Sequence, residues 1–309
     1  KSIQLLYSLG EEIIAIKYAT EFASKDDPEA IATLAQIKLL DKCYEDGISL
    51  YEKAASLGDK EAMFNLGVIY DNGEICEKDP YKAAMWYQRA AELGDAQSMD
   101  NLAFLLEKGP EEMRNVDSAF DWYMKAAEAG LNKAWNDVAT CYKHGVGVSQ
   151  SVENARKYYI KASEFEEPEI AYYNLFLLYA DGIATKRNPE EALKWLRKSA
   201  DKGVPDACWH LGTHYKLGII VSQDFNQAFR WYNIAAEQGH PKSTYEIGLM
   251  YLHGIVVEQN DKKAFELFDK VSKILPEAMG KLGQCYSNGM GCIQDYSKAL
   301  ACYESAAQN

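Results

Sequence analysis

His210 and His214 stand four residues apart in CWHLGTHY, a spacing that sets two imidazoles on one helical face within reach of a single metal ion. Cys208 lies close by in sequence. At 100° per residue, however, Cys208 points about 160° away from His210, and no carboxylate completes an HExxH pattern. Two imidazoles alone do not hold an ion, so no metal site is expected. The cysteines offer thiol chemistry, and their seven-fold count leaves at least one unpaired in a monomer. Cys285 and Cys292 flank one loop, so a disulfide between them is the minor alternative to free thiols. Cys141, Cys208, Cys285 and Cys302 fall in apolar columns and read as small core residues. Unpaired cysteines suit a reducing compartment, which favours a cytoplasmic location.

Nucleophilic and phosphate chemistry find no foothold. GxSxG, GxxxxGK[ST] and a strand-borne GxGxxG are all missing, and the Gly-rich HGVGVS at His144 sits where a turn is needed. Paired carboxylates carry no information in a chain with 46 acidic and 33 basic residues. The resulting charge of −13 has the wrong sign for tracking phosphate backbones, so no nucleic-acid partner is expected. No run of about 18 apolar residues occurs, so no direct membrane insertion is expected, and the opening KSIQLLYSLG lacks the pattern of a signal peptide. No catalytic residue and no cofactor are assigned.

What the sequence does contain is repetition. WYQRAAELGD begins at Trp86, WYMKAAEAGL at Trp122 and WYNIAAEQGH at Trp231. A second signature, a small residue followed four positions later by Leu-Gly or a close variant, starts near 30, 62, 98, 134, 171, 207, 243 and 278, a step of 32 to 37 residues. Its Leu column is Leu34, Leu66, Leu102, Val138, Leu175, Leu211, Ile247 and Leu282, and the next column is mostly Gly or Ala. These spacings form the buried stripe of a first helix, with the small residue allowing close approach of a second. Gly73, Gly109, Gly145, Gly182, Gly218, Gly254 and Gly289 suit left-handed turns after that helix. The second helix carries Ala three residues before Trp86, Trp122, Tyr158, Trp195, Trp231, Leu267 or Cys302, and this ring column is expected to fill the space beside the small residues.

AMFNLGVIYDNGEICEKDPYKAAMWYQRAAELGD from Ala62 and ACWHLGTHYKLGIIVSQDFNQAFRWYNIAAEQG from Ala207 resemble the Sel1-like repeat family, relatives of tetratricopeptide repeats. The resemblance covers about 280 of the 309 residues. It implies an all-α, right-handed superhelical solenoid of about eight helix pairs over residues 1–309, preceded by an N-terminal helix in 1–29. It also implies a non-enzymatic scaffold whose partner is a protein or peptide. The cysteine-rich bacterial members pair cysteines between the two helices of a unit, and that placement is missing here.

Departures from the pattern carry their own expectations. The unit from Ala30 to Glu61 is short, with Gly47 where the second helix usually has Ala, and should pack more tightly. In 161–176, Glu166-Glu167-Pro168 replaces the closing glycine and Phe176 enters the small column, which predicts a local change of stacking angle. The last unit stops after Ala306-Ala307 without a polar cap, suggesting truncation of a longer protein. That end, or the edge near Leu5 and Leu6, would serve self-assembly as a homo-oligomer.

Counting from the Leu column at 100° per residue, positions −2 and +2 fall about 160° and 200° away, opposite the buried stripe. By the same resemblance this face lines a concave groove. It carries Phe64, Val68, Asp100, Phe104, Asn136, Thr140, Tyr173, Leu177, Trp209, Thr213, Tyr245 and Leu249 as candidate partner-binding residues. Aromatic anchors among them suit an interface, and Asp100, Asn136 and Thr140 suit a peptide backbone. The rings could equally pack between neighbouring first helices. Self-assembly, or a hydrolase-like or metal site at His210 and His214, are the alternative functions.

Overall fold

A computed structural model describes residues 19–21, 23, 25–180 and 188–308. Expectations about Leu5, Leu6, Gly182 and most of the N-terminal helix in 1–29 lie outside the described residues. Among those described there are sixteen α-helices, one 3-10 turn at Glu111–Met113 and no strand. Their contacts divide the chain into two compact units, Lys1–Ala162 and Ser163–Asn309.

The first unit holds α1 (Pro28–Leu40), α2 (Tyr44–Ser56), α3 (Lys60–Asn72), α4 (Pro80–Glu92), α5 (Ala96–Lys108), α6 (Val116–Glu128), α7 (Ala134–His144) and α8 (Val152–Ala162). The second holds α9 (Glu169–Ala180), α10 (Pro189–Asp201), α11 (Pro205–Leu217), α12 (Phe225–Glu237), α13 (Pro241–His253), α14 (Asp261–Val271), α15 (Pro276–Asn288) and α16 (Tyr296–Gln308). Within each unit every helix packs on its sequence neighbours. Odd-numbered helices are the first of each pair and even-numbered helices the second.

One loop design joins the members of most pairs. The first helix ends at a glycine in the left-handed region, with φ of 70° at Gly73, 72° at Gly145 and 69° at Gly218. The chain then returns so that the residue capping the second helix donates its N–H to a carbonyl one turn before that glycine: Asp79 to Tyr70 at 2.8 Å, Asp224 to Tyr215 and Asn260 to Tyr251 at 2.9 Å. The Asp79, Asp224 and Asn260 side chains in turn accept first-turn N–H groups of α4, α12 and α14. Gln150, Gln223 and Gln294 clip the same loop by donating Nε2 to Lys143, Lys216 and Ser287 carbonyls at 2.8, 2.8 and 2.7 Å. Gly109 departs from the expected left-handed turn: its φ is −68° and its ψ −170°. Pro110 follows it, and a residue before proline is pushed to extended backbone.

The packing of each pair corrects the expected role of the ring column. The ring most deeply inserted is one residue later than predicted: Tyr87, Tyr159, Tyr232 and Phe268 are at most 1% exposed, whereas Trp122 and Trp231 are only half-buried. Each deep ring lies 20 residues after the small residue it covers. A Cβ on Gly67 would sit 2.4 Å from the Tyr87 ring, on Gly212 2.7 Å from Tyr232 and on Gly248 2.6 Å from Phe268; in the last pair Tyr303 lies 2.9 Å from a Cβ on Gly283 yet stays 43% exposed. The small column is therefore a socket for this ring, and the preceding Trp lies over a long cation, as Trp86 does under Arg89 at 4.8 Å and Trp122 under Lys125 at 4.0 Å.

The unit division at Ala162–Ser163 falls inside the irregular segment 161–176. There the socket is already filled, because Phe176 is 3% exposed in the small column. The position 20 residues on holds the smaller Leu196, fully buried, so bulk moves from the second helix to the first while the pair stays closed. In α1 and α2 the socket is inverted: a Cβ on Gly47 of α2 would lie 2.4 Å from Leu39 Cδ2 of α1.

Candidate functional site

Except at Asp100, the candidate residues at −2 and +2 of the first helices keep access to solvent in both units, yet most of their side chains are anchored. In the first unit, Phe64 packs on Tyr87 with ring centroids 6.2 Å apart, and Val68 joins the same cluster. Phe104 stands free, 54% exposed. Asp100 does not present a free carboxylate to a peptide: it is 7% exposed, and its Oδ2 pairs with Lys133 Nζ at 2.9 Å. Thr140 donates Oγ1 to the Asn136 carbonyl at 2.9 Å and meets the Tyr159 hydroxyl at 2.9 Å.

In the second unit, Tyr173 lies against Phe176 at 5.8 Å and His210 at 6.0 Å. Trp209 stacks edge-on with His210 at 4.7 Å and carries Lys242 Nζ over its ring at 4.9 Å. Tyr245 packs on Phe268 at 5.7 Å. Leu177 and Leu249 are half-buried, and Thr213 repeats the Thr140 arrangement, bonding to the Trp209 carbonyl at 2.9 Å and the Tyr232 hydroxyl at 3.2 Å. Phe64, Tyr173 and Tyr245 thus rest one side on a deep ring of their own pair and show the other.

The two histidines do not build a metal site. His210 is wedged among Phe176, Tyr173 and Trp209, and burial, then the neighbouring His214, lower its pKa to about 4. His214 is also lowered by burial, and its Nδ1 lies 3.0 Å from the Ile219 carbonyl. Cys208 is fully buried on the other side of α11, with Sγ 3.4 Å from the Ala200 carbonyl. Among the described residues no group of three His, Cys, Asp or Glu could hold an ion. Both imidazoles are uncharged at neutral pH and act as packing rings.

Position −1 supplies a further column on the same face that the ±2 geometry left out: Asn65, Asn101 and Asp137 in the first unit, Asn174, His210, Glu246 and Lys281 in the second, all half-buried. These residues meet the hydroxyls and charges at the floor of the face. Asn65 Nδ2 donates to the Tyr51 hydroxyl at 3.5 Å, Glu246 accepts from Lys216 Nζ at 2.6 Å, and Lys281 donates to Gln284 at 3.1 Å. The signal was present, since no position in the column is apolar.

Asp137 differs from its counterparts. Burial, and then the Asp100 carboxylate, push its pKa up to about 7, with Glu107 adding and Lys133 opposing. Beside it lies a cleft of about 380 Å³ lined by Glu107, Lys108, Thr140 and His144 among others. Glu107 accepts the Tyr123 hydroxyl at 3.1 Å and pairs with Lys108 at 2.7 Å. The floor of this face is therefore acidic in the first unit, while the face of the second is lined by aromatic rings.

The Sel1 repeat pattern matches residues 43–59, 60–95, 96–131, 134–164, 170–204, 205–240, 241–271 and 276–309. A Sel1 repeat protein from Oxalobacter formigenes is similar over 98% of this chain and 90% of its own, at 28% identity and a TM-score of 0.77. A protective antigen present in uropathogenic Escherichia coli strains, with an SLR fold, is similar over 96% of this chain and 72% of its own, at 25% identity and a TM-score of 0.62. No curated protein matches the chain. Eight matched segments, which together span well over half of the chain and fall on its helices, place the chain in the Sel1 repeat family.

Proposed function

We propose that the chain is a non-enzymatic scaffold that holds a peptide segment or partner surface against the exposed face of its first helices. Sel1 repeat proteins generally mediate protein–protein interaction, and the described residues form an all-α repeat fold. One observation supports the placement above others. On α5, where Ser98, Met99, Asp100, Leu102, Ala103 and Leu105 are buried, Phe104 remains 54% exposed. A large ring held on a rigid helix at low entropic cost is the form an interface anchor takes.

Phe104→Ala is expected to leave the thermal midpoint within about 1 °C, because the ring buries little, and to weaken capture of a partner roughly tenfold or more. Affinity capture by the two forms of the full chain, quantified by mass spectrometry beside a melting curve, reads both quantities. Equal capture by both would remove Phe104 from the interface. Self-association is the second reading, favoured by the exposed Tyr296, Leu300 and Tyr303 of α16. Light scattering over a concentration series distinguishes it from a monomeric scaffold.

A further inference from the structure

We propose that Cys285 and Cys292 form a modification site, a dithiol that closes reversibly into a disulfide and pins the loop after α15 to the helix it leaves. The position three residues after the loop glycine folds back on the position four before it in two repeats of the first unit. In the first unit Cys76 and Ile69 share one apolar cluster, with Cys76 Sγ 3.8 Å from the Ile69 carbonyl. Val148 and Cys141 share another. In the second unit the two equivalent positions are Cys292 and Cys285, again within one cluster, together with Met290.

The backbone brings them there by the common loop. Gly289 turns left-handed at φ 68°, Met290 donates its N–H to the Cys285 carbonyl at 3.0 Å, and Gly291 turns again at φ 73°. Asp261 and Lys262 lie close against Gly291, which fixes the loop's path. Every other repeat with a described loop has at most one sulfur in this pair of positions.

The two thiols have unequal roles. Cys285 is fully buried, and burial, then the neighbouring Cys292, raise its pKa to about 11. Cys292 is half-buried and also raised by burial, so both are mainly protonated at neutral pH. Cys292, the accessible one, attacks a small-molecule disulfide such as glutathione disulfide. One S–S bond breaks, a mixed disulfide forms on Cys292 and one glutathione thiolate leaves. Cys285 then attacks Cys292 Sγ, breaking the mixed disulfide and releasing the second glutathione. The two protons lost by the cysteines go to the two glutathione thiolates, and the two electrons end on glutathione. With so little thiolate, closure is slow at neutral pH and accelerates as pH rises.

The test uses the full chain, incubated with glutathione disulfide at about pH 8 and mapped by peptide mass spectrometry after alkylation. The expected result is a Cys285–Cys292 cross-linked peptide in monomeric protein, reopened by dithiothreitol. Amide exchange across 286–292 should slow by roughly tenfold in the oxidised form. Cys292→Val, which copies the natural Val148 arrangement and keeps the fold, should abolish the cross-link and leave exchange unaffected by glutathione disulfide. Cys292 recovered free, or trapped as the mixed disulfide while Cys285 stays free in folded protein, would overturn the proposal.

Discussion

Gly212→Phe and Tyr232→Leu, each destabilising alone, are expected to compensate one another when combined. A Cβ at Gly212 would lie 2.7 Å from Tyr232 Cε1 and 3.3 Å from the Ala228 carbonyl oxygen, so the first change overpacks a closed contact. Its cost should be about 3 kcal/mol. The second removes a ring that is fully buried and leaves a void, at a cost of about 2–3 kcal/mol. Together they reproduce the large-on-first-helix, small-on-second arrangement that Phe176 and Leu196 already use in the same unit. A double-mutant cycle from urea unfolding should give a favourable coupling of about 2 kcal/mol or more. Additive losses would show that the 20-residue register is not a shared contact.

Asp137→Asn is expected to make the protein more stable relative to wild type as pH rises. The folded pKa of Asp137 is about 7 against an ordinary 3.8, raised first by burial and then by Asp100. A carboxyl group whose pKa rises on folding contributes stability that is complete below its unfolded pKa and lost as pH climbs through the folded one. The loss therefore runs from about pH 4 to about pH 7, and asparagine, which does not ionise, escapes it. Between pH 5 and pH 8 the stability difference between variant and wild type should shift by on the order of 2–3 kcal/mol in the variant's favour. Taking the difference removes the histidines, whose lowered values, His210 at about 4, act in the opposite sense by losing stability below about pH 6.5. Urea midpoints of both proteins at the two pH values measure the shift. A flat difference would mean that Asp137 ionises in the folded protein as easily as in the unfolded one.

The fold was legible because its rules are local and repeated. The Leu column, the small column beside it and the loop glycines specify a helix pair without any long-range knowledge, and the same residues meet in the structure. Two details escaped for physical reasons. Trp86 and Tyr87 are both large and only 100° apart, so periodicity could not say which enters the socket, whereas the depth of Gly67 beneath Tyr87 does. Gly109 was read as a left-handed turn from its place in the column, but Pro110 overrides that place.

The exposed face was legible in part. Counting angles from the Leu column found Phe104, which stands clear of its helix. It took Asp100 for an open polar group because it could not foresee Lys133 closing over it from the start of the next pair. It also passed over position −1, which sits near 100° from the core at the border between buried and exposed, where only the neighbouring helix decides. Asn65, Asp137 and Glu246 lie on that border, half-buried and facing tyrosines or lysines.

Site-specific photo-crosslinking in the full chain tests most directly whether recognition lies on the first helices. A photoreactive phenylalanine analogue replaces Phe104 on that face and, separately, Met85 on α4, a second helix, where the side chain is 39% exposed. The interaction face proposed above predicts partner adducts from position 104 and none above background from position 85. Adducts from position 85 with silence at 104 would contradict it.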